Sequence, residues 1–376
     1  MPRLRAALKL DNNDLSAEAF MAMVRKHEAF LRGSHGGQRI NGRFARVRDL
    51  VCRERTLCDA ELTGADLDGA VLAGSDFSRA SFYSASLLGA DLSRCVMVRA
   101  DLRGARLGGA ILSAARLDEA DMRSAVLCRH DEVAGLKWMG AGADLRGSRL
   151  NGANLSAAVA FAVDFSNCSL KGACLRGANL KNANFANANL SGVDLRGANL
   201  EGVQFRGAIL TGVPVERLRL PASALDGCVT DPSPEAMAEA DMIAAEVERA
   251  ERWMVSMAGQ GGPARLSGRD LRPAPVFRGR TLPGMDAAGA MAVEVDFTGS
   301  RLQAACFDDA DLRGADFTGA DLRGASFVGA NLAHAVFEGA NLDDLRLERG
   351  GRRRVDFTRA VLDGTGVAPR RPVVAI

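Results

Sequence analysis

Aromatic side chains are scarce in this chain: they make up 5% of 376 residues, with a single Tyr and two Trp. That scarcity removes the stacking platform on which single-stranded nucleic acid binds. Histidine is rarer than most residues, four in all and far apart, and the eight cysteines include no CxxC pair. A zinc site therefore has no ligand set. No apolar run approaches the ~20 residues of a membrane-spanning helix. Residues 1–13 are too short and too broken for a secretory leader, so the expected location is the cytoplasm. Neither charge sign is in excess: Lys plus Arg total 48 against 46 for Asp plus Glu, a formal charge of +2. No nucleophile–base set, nucleotide fingerprint or phosphate-cradling loop is present, so neither an enzymatic reaction nor a cofactor is expected.

What the chain does have is a beat of five. From Leu57 to Leu127 every fifth residue is Leu, Phe or Met, including Leu62, Phe77, Met97, Leu112 and Met122, fifteen positions without a miss. A helix needs spacings of three and four and a strand alternates by two, so five means a short extended piece plus a corner, stacked as a solenoid. Around each central residue the unit is constant. Ala precedes it by two (Ala65, Ala90, Ala120), Asp or Asn by one (Asp66, Asp91), and Gly often follows by two (Gly64, Gly69, Gly104). Alternation sends the centre and its Ala to the interior, where a narrow tube has room for one large and one small side chain. Asp and Asn face outward and can bond the turn backbone, while Gly tolerates the positive φ of a tight corner.

This A(D/N)LxG unit resembles the pentapeptide-repeat family, and the matching units cover about three quarters of the chain. The resemblance implies an all-β solenoid, a right-handed four-sided β-helix. Phenylalanine spacing agrees with four sides. Phe165, Phe185 and Phe205 recur by twenty, as do Phe297, Phe317, Phe337 and Phe357, so rings stack if a coil takes about twenty residues. Cys52 falls at a centre, and Cys95 and Cys168 in the small inward slot, as buried hydrophobes.

The beat breaks twice. Leu127 is followed by Leu145, a step of eighteen, at which the register is expected to slip; the repeat then runs to Leu210 and continues more weakly through Val215, Leu220 and Leu225. The second break, from Ser233 with Pro234 at the first helical position, carries a helical stripe of Met237, Met242, Ile243, Val247, Ala250, Trp253, Met254 and Met257. A related Ser16-Ala17-Glu18-Ala19-Phe20 segment opens the chain, and a Gly-Gly pair follows each helix, Gly36-Gly37 and Gly261-Gly262. Two tandem modules are expected. They comprise an N-terminal helical cap (1–44), a first β-helix (45–230, with a loop at 128–144), an inter-module helix (231–263), a second β-helix (264–366) and a tail (367–376). Caps cover the unpaired edges of an open coil end. In the second β-helix the beat is strict from Phe297 to Leu347, and Arg352 then stands at a centre position. An unpaired Arg cannot occupy a dry tube, so the chain must bulge there before Phe357 re-enters.

The residues that interrupt the beat are the candidate partner-binding ones. The 128–144 loop holds His130, Leu136, Lys137, Trp138 and Met139; the alternative is that Trp138 and Leu136 pack back on the solenoid wall. Arg349, Arg352, Arg353 and Arg354 form a basic stretch suited to phosphate or an acidic partner, or else a solvated turn. The Asp311–Arg313 and Asp321–Arg323 pairs read as solvent-exposed ladders of small value. The expected function is a non-enzymatic scaffold of a bacterium that binds a protein partner. The tail offers a route to a homodimer through a solenoid end. The family resemblance implies an alternative: some members bind DNA gyrase by imitating duplex DNA. The charge opposes that reading, because residues 145–225 hold nine Lys or Arg against four acids, and the outer Asp positions there have become Asn154, Asn179, Asn184, Asn189 and Asn199. Direct nucleic-acid binding is disfavoured by the low charge density.

Overall fold

The computed structural model describes residues 14–128, 142–256, 261–347 and 350–367. Residues 1–230 and 231–376 form two compact units. Both are β-helix solenoids assembled from single-residue parallel bridges.

In the first unit Asn41 bridges Glu61, Arg46 bridges Asp66, Val51 bridges Val71 and Thr56 bridges Asp76, each partner twenty residues on. The centre residue donates to the next coil, as Leu62 N–H does to the Ser81 carbonyl at 2.8 Å, and Ala65 N–H closes the corner on the Leu62 carbonyl at 3.1 Å. Centres and alanines from Ala45 to Leu210 are buried, apart from the half-buried Ala198 and Leu200, and each large side chain so removed from water contributes about 1.5–3 kcal/mol. The outward Asp binds its own corner: Asp101 Oδ1 accepts from the Arg103 amide at 3.1 Å. The corner conformation does not depend on glycine. Gly64 has φ 65°, but Arg99, Ala114 and Asn182 hold φ 57°, 56° and 60° at equivalent positions, at a cost of about 1–2 kcal/mol each.

Two readings of the first unit need correction. The register does not slip at residue 127. Ile111 bridges Asp144 and Val126 bridges Val159, thirty-three apart, so thirteen residues are added while the ladder continues in place. Val215, Leu220 and Leu225 are not centres. Short 3₁₀ turns at Val215–Leu218 and Ala222–Leu225, entered at Pro214 and Pro221, replace the corners; Pro214 lacks the amide that an outward position donates to the coil before, as Asp194 N–H does to the Ala173 carbonyl. Ile209 still bridges Val229, so the coil closes.

Helix α1 (Ala17–Leu31) begins at Ser16, whose side chain accepts from the Ala19 amide, and buries Phe20, Val24 and His27 against the first coil. It also satisfies coil groups that have no coil beneath them. Glu28 Oε1 accepts from Thr56 N–H at 3.4 Å. His27 Nδ1 accepts from Ile40 N–H at 3.1 Å, while its Nε2 lies 2.9 Å from the Cys58 carbonyl. These two contacts require a neutral ring with the proton on Nε2.

Burial lowers the His27 pKa from its usual 6.5, the Cys58 carbonyl opposes the shift, Arg39 adds to it, and Asp59 and Glu28 oppose it. A folded-state pKa below the unfolded one means that the unfolded chain binds more protons in this window. The stability His27 contributes is then complete above about pH 6.5 and is lost as pH falls below it. Thermal melts from about pH 7.5 to about pH 5 should show a steeper loss for the wild type than for His27→Gln, which carries no titrating ring. Parallel curves would show that His27 is not the sensor.

In the second unit, α2 (Pro234–Ala238) and α3 (Ala240–Val255) take the place of one continuous helix. Ile243, Val247 and Ala250 are buried, but Met237, Met242 and Met254 lie exposed, so the core-facing stripe is narrower than the spacing predicts. The cap repeats the logic of α1 with glutamates: Glu246 accepts from Arg265 N–H at 2.7 Å and Glu251 from Thr281 N–H at 3.0 Å. The first coil holds one extra residue, since Arg265 bridges Asp286 and Asp270 bridges Met291; from Thr281 to Asp321 the step is twenty. Phe297 stacks on Phe317 at 5.0 Å and Phe307 on Phe327 at 5.2 Å. Phe307 and Phe317, from the two columns, meet edge to face at 5.8 Å and 79°.

Candidate functional site

Residues that serve only the repeat separate cleanly from those that do not. Burial pushes the thiol of Cys52 up to about 11 and those of Cys95 and Cys168 to about 12. They are core atoms that stay protonated; Cys168 Sγ–H donates to the Leu145 carbonyl. The Asp–Arg pairs are clamps within one coil, with Arg Nε and Nη2 on the two carboxylate oxygens of the Asp two residues before. Asp321–Arg323 is one example, at 2.9 and 2.7 Å. Arg313 corrects the expected exposed ladder: it is 8% exposed and clamped by Asp311.

The structure that breaks the pattern most sharply lies late in the second unit. Asp321 bridges Asn341 at the usual twenty, but Ser326 bridges Asp356 and Asn331 bridges Val361 at thirty, so ten residues are inserted. The core holds both feet of this insertion, and the ten added residues move Phe357 out of the column its spacing predicts: it meets Phe337 edge to face at 84° and stacks instead on Phe327 at 5.2 Å and 6°. Between them β1 (Leu345–Arg346) pairs antiparallel with β2 (Arg352–Arg353). Gly350, at φ 82°, permits the reversal, with its N–H on the Leu347 carbonyl at 2.9 Å. Leu347, a centre by spacing, is instead exposed at the hairpin tip.

The hairpin has two faces. Leu345 and Arg353 are partners on one, and they lie on the corner at Gly324, where an added Cβ would sit 2.8 Å from Leu345 Cβ and 3.3 Å from Arg353 Cγ. Arg346 and Arg352 are partners on the other. Arg346 and Arg352 also line a cavity of about 640 Å³ with Arg323, Asn341, Asp343 and Asp344. Arg354 approaches Asp344 at 3.9 Å. No ion pair among the described residues involves Arg346, Arg352 or Arg353.

Of the sequence candidates, then, Arg352, Arg353 and Arg354 are brought together on an exposed hairpin. His130, Leu136, Lys137, Trp138, Met139 and Arg349 lie outside the described residues. Arg346 and Gly324 escaped the sequence reading; Gly350-Gly351 between arginine-bearing dipeptides is the turn signal that points to Arg346, and nothing local marks Gly324. A second cavity, about 420 Å³, lies at the α3 cap between Met242, Arg249, Arg265 and Arg269. Two of its arginines are already engaged, Arg249 by Glu246 and Arg269 by Glu239.

Comparison with known proteins agrees with the repeat architecture. Pentapeptide repeats match in eight copies, over residues 60–97, 95–129, 141–177, 173–212, 286–319 and 315–349. Among solved structures, full-length QnrB1, a plasmid-mediated fluoroquinolone resistance protein, is 20% identical, with a TM-score of 0.32; the match covers 54% of this chain and 93% of QnrB1. HetL, involved in heterocyst differentiation regulation in the cyanobacterium Nostoc sp. strain PCC 7120, is 20% identical over 90% of this chain and 99% of its own, with a TM-score of 0.23. Rfr23 from the cyanobacterium Cyanothece 51142 is 19% identical over 50% of this chain and 88% of its own, with a TM-score of 0.13. No curated protein sequence matches significantly. With repeat copies matched across more than half its length, the chain belongs to the pentapeptide-repeat family.

Proposed function

We propose that this chain is a non-enzymatic interaction scaffold. In this reading it consists of two helix-capped modules, each a right-handed four-sided β-helix, that hold a basic hairpin against an acidic protein partner in the cytoplasm. One observation carries the reading: ten residues leave the coil, form a hairpin bearing Arg346, Arg352 and Arg353, and return to an undisturbed phenylalanine stack. A rigid support presents such arginines without the entropy that a flexible loop would lose on binding. Trp138 in the 128–144 insertion is a second proposed contact, in keeping with the enrichment of Trp and Arg among residues that dominate interfaces. Gyrase modulation is disfavoured by the balanced charge, which lacks the negative field of a DNA mimic.

Affinity capture from the native host tests this with wild type, a variant carrying Arg352→Ala, Arg353→Ala and Arg354→Ala together, and Trp138→Ala. The triple variant should lose its principal partner while keeping the wild-type melting temperature, since all three arginines are exposed. An unchanged partner list from both variants would remove the reading. In a supercoiling assay with quinolone the protein should leave gyrase activity unaltered.

A further inference from the structure

Arg346 and Arg352 face each other directly across the two-stranded hairpin. Side chains at such positions start about 4.5–5.5 Å apart, and like charges there are destabilising. Elsewhere among the described residues such a pair has an acid between its members: Arg116 and Arg149 face each other across a bridge, and Asp118 lies 3.8 and 3.5 Å from them. Arg103, Arg123, Arg146, Arg196 and Arg323 each sit on an Asp two residues before. At the hairpin the carboxylates are turned to other uses. Asp321 holds Arg323, and Asp344 faces Arg354. Asp343 is the other acid lining the cavity. The opposite face of the hairpin is seated on Gly324, so the ribbon cannot turn over to separate the pair without losing that contact.

We infer that Arg346 and Arg352 form a binding cleft for a phosphoryl oxyanion, either free phosphate or a phosphomonoester on a partner protein. Two planar guanidinium groups on one face present paired N–H donors that match tetrahedral oxyanion geometry bidentately. Their combined charge of +2 matches a phosphate dianion, whereas a single carboxylate would leave one arginine unsatisfied. Asp343 and Asp344 in the wall repel a broad polyanion such as a nucleic-acid backbone. A compact phosphoryl group inserted between the guanidinium groups meets arginine first. The inference deepens the scaffold reading by naming the chemistry of the partner's contact, and it is tested without the partner.

The full chain is titrated with sodium phosphate at constant ionic strength, following the arginine Nε–H resonances by NMR. Two signals, assigned by their loss in Arg346→Gln and Arg352→Gln, should shift saturably with an apparent Kd of about 1 mM or tighter. Either substitution should weaken binding at least about tenfold, whereas Arg353→Gln, on the other face, should leave it unchanged. In phosphate-free buffer Arg352→Gln should melt no lower than the wild type, because it relieves the opposed charges, and phosphate should raise the midpoint of the wild type and of Arg353→Gln but not that of Arg352→Gln. A phosphoserine peptide that competes with phosphate identifies the ester as a ligand, and failure of the peptide with retention of phosphate assigns the site to the free ion. Shifts that do not saturate, that chloride reproduces, or that survive both Gln variants would overturn the inference. Loss of partner capture without any phosphate effect would leave the scaffold standing and remove only the oxyanion.

Discussion

Phe317→Ala should destabilise the second unit by roughly 3–5 kcal/mol, the range for deleting a buried aromatic ring from a packed core. The ring is fully buried and stacks on Phe297 at 5.0 Å and on Phe337 at 5.1 Å, and it meets Phe307 and Phe327 edge to face at 5.8 Å each. Four ring contacts vanish together, and the tube cannot collapse around the void, because each coil is held at strand spacing by bridges to its neighbours. Denaturant unfolding would register this as a lower midpoint. Amide exchange should localise it: protection is lost across 286–341, while the coils between 41 and 128, which belong to a separate core cluster, keep theirs. Phe317→Leu, which leaves a smaller void, should lose less. A Phe317→Ala midpoint within experimental error of wild type would mean the column does not carry the stability its geometry implies.

Gly37→Ala should dislodge the α1 cap. An added Cβ would sit 2.3 Å from the Phe30 backbone nitrogen, 2.5 Å from its Cα and 2.7 Å from the Ala29 carbonyl carbon. Backbone cannot yield as a side-chain tip can, so helix and turn must separate, at a cost at or above the roughly 1–3 kcal/mol of an overpacked core. The readout is the cap itself: the His27–Ile40 contact should open, and exchange along Ala17–Leu31 should rise. The neighbouring glycine provides the control. Gly36 has φ 79° but nothing within 4 Å of an added Cβ, so Gly36→Ala costs only the left-handed strain, about 1–2 kcal/mol. If the two substitutions behave alike, close approach is not why Gly37 is there.

These two glycines show where sequence reading stops. Gly36-Gly37 was legible as punctuation after a helix, but one serves a positive φ and the other a close approach, a difference that exists only once the chain has folded back onto α1. The insertion after residue 127 behaves similarly. An eighteen-residue step looks like a slipped register because sequence spacing counts residues, whereas the ladder counts coils, and Ile111 finds Asp144 regardless of what lies between. The helical stripe from Met237 to Met257 is wider than the buried face for a related reason: Met237, Met242 and Met254 satisfy the period but fall outside the arc that meets the coil end.

The repeat and its core were determined locally. A centre of Leu or Phe every five residues, a small partner two before and an outward Asp or Asn leave few other ways to bury the apolar atoms, and phenylalanine spacing by twenty marks the columns. Tertiary structure alone decided which arginines oppose each other. The beat of five separates Arg313, two after Asp311 and beside a centre, from Arg352 at a centre position, but it does not say what each arginine meets. One is buried in a clamp, and the other faces Arg346 across a hairpin seated on Gly324. Facing pairs are set by strand register, and a shift of one residue would send Arg352 to the opposite side. That register is fixed by a glycine turn and a corner more than twenty residues away, which no local pattern around Arg352 contains.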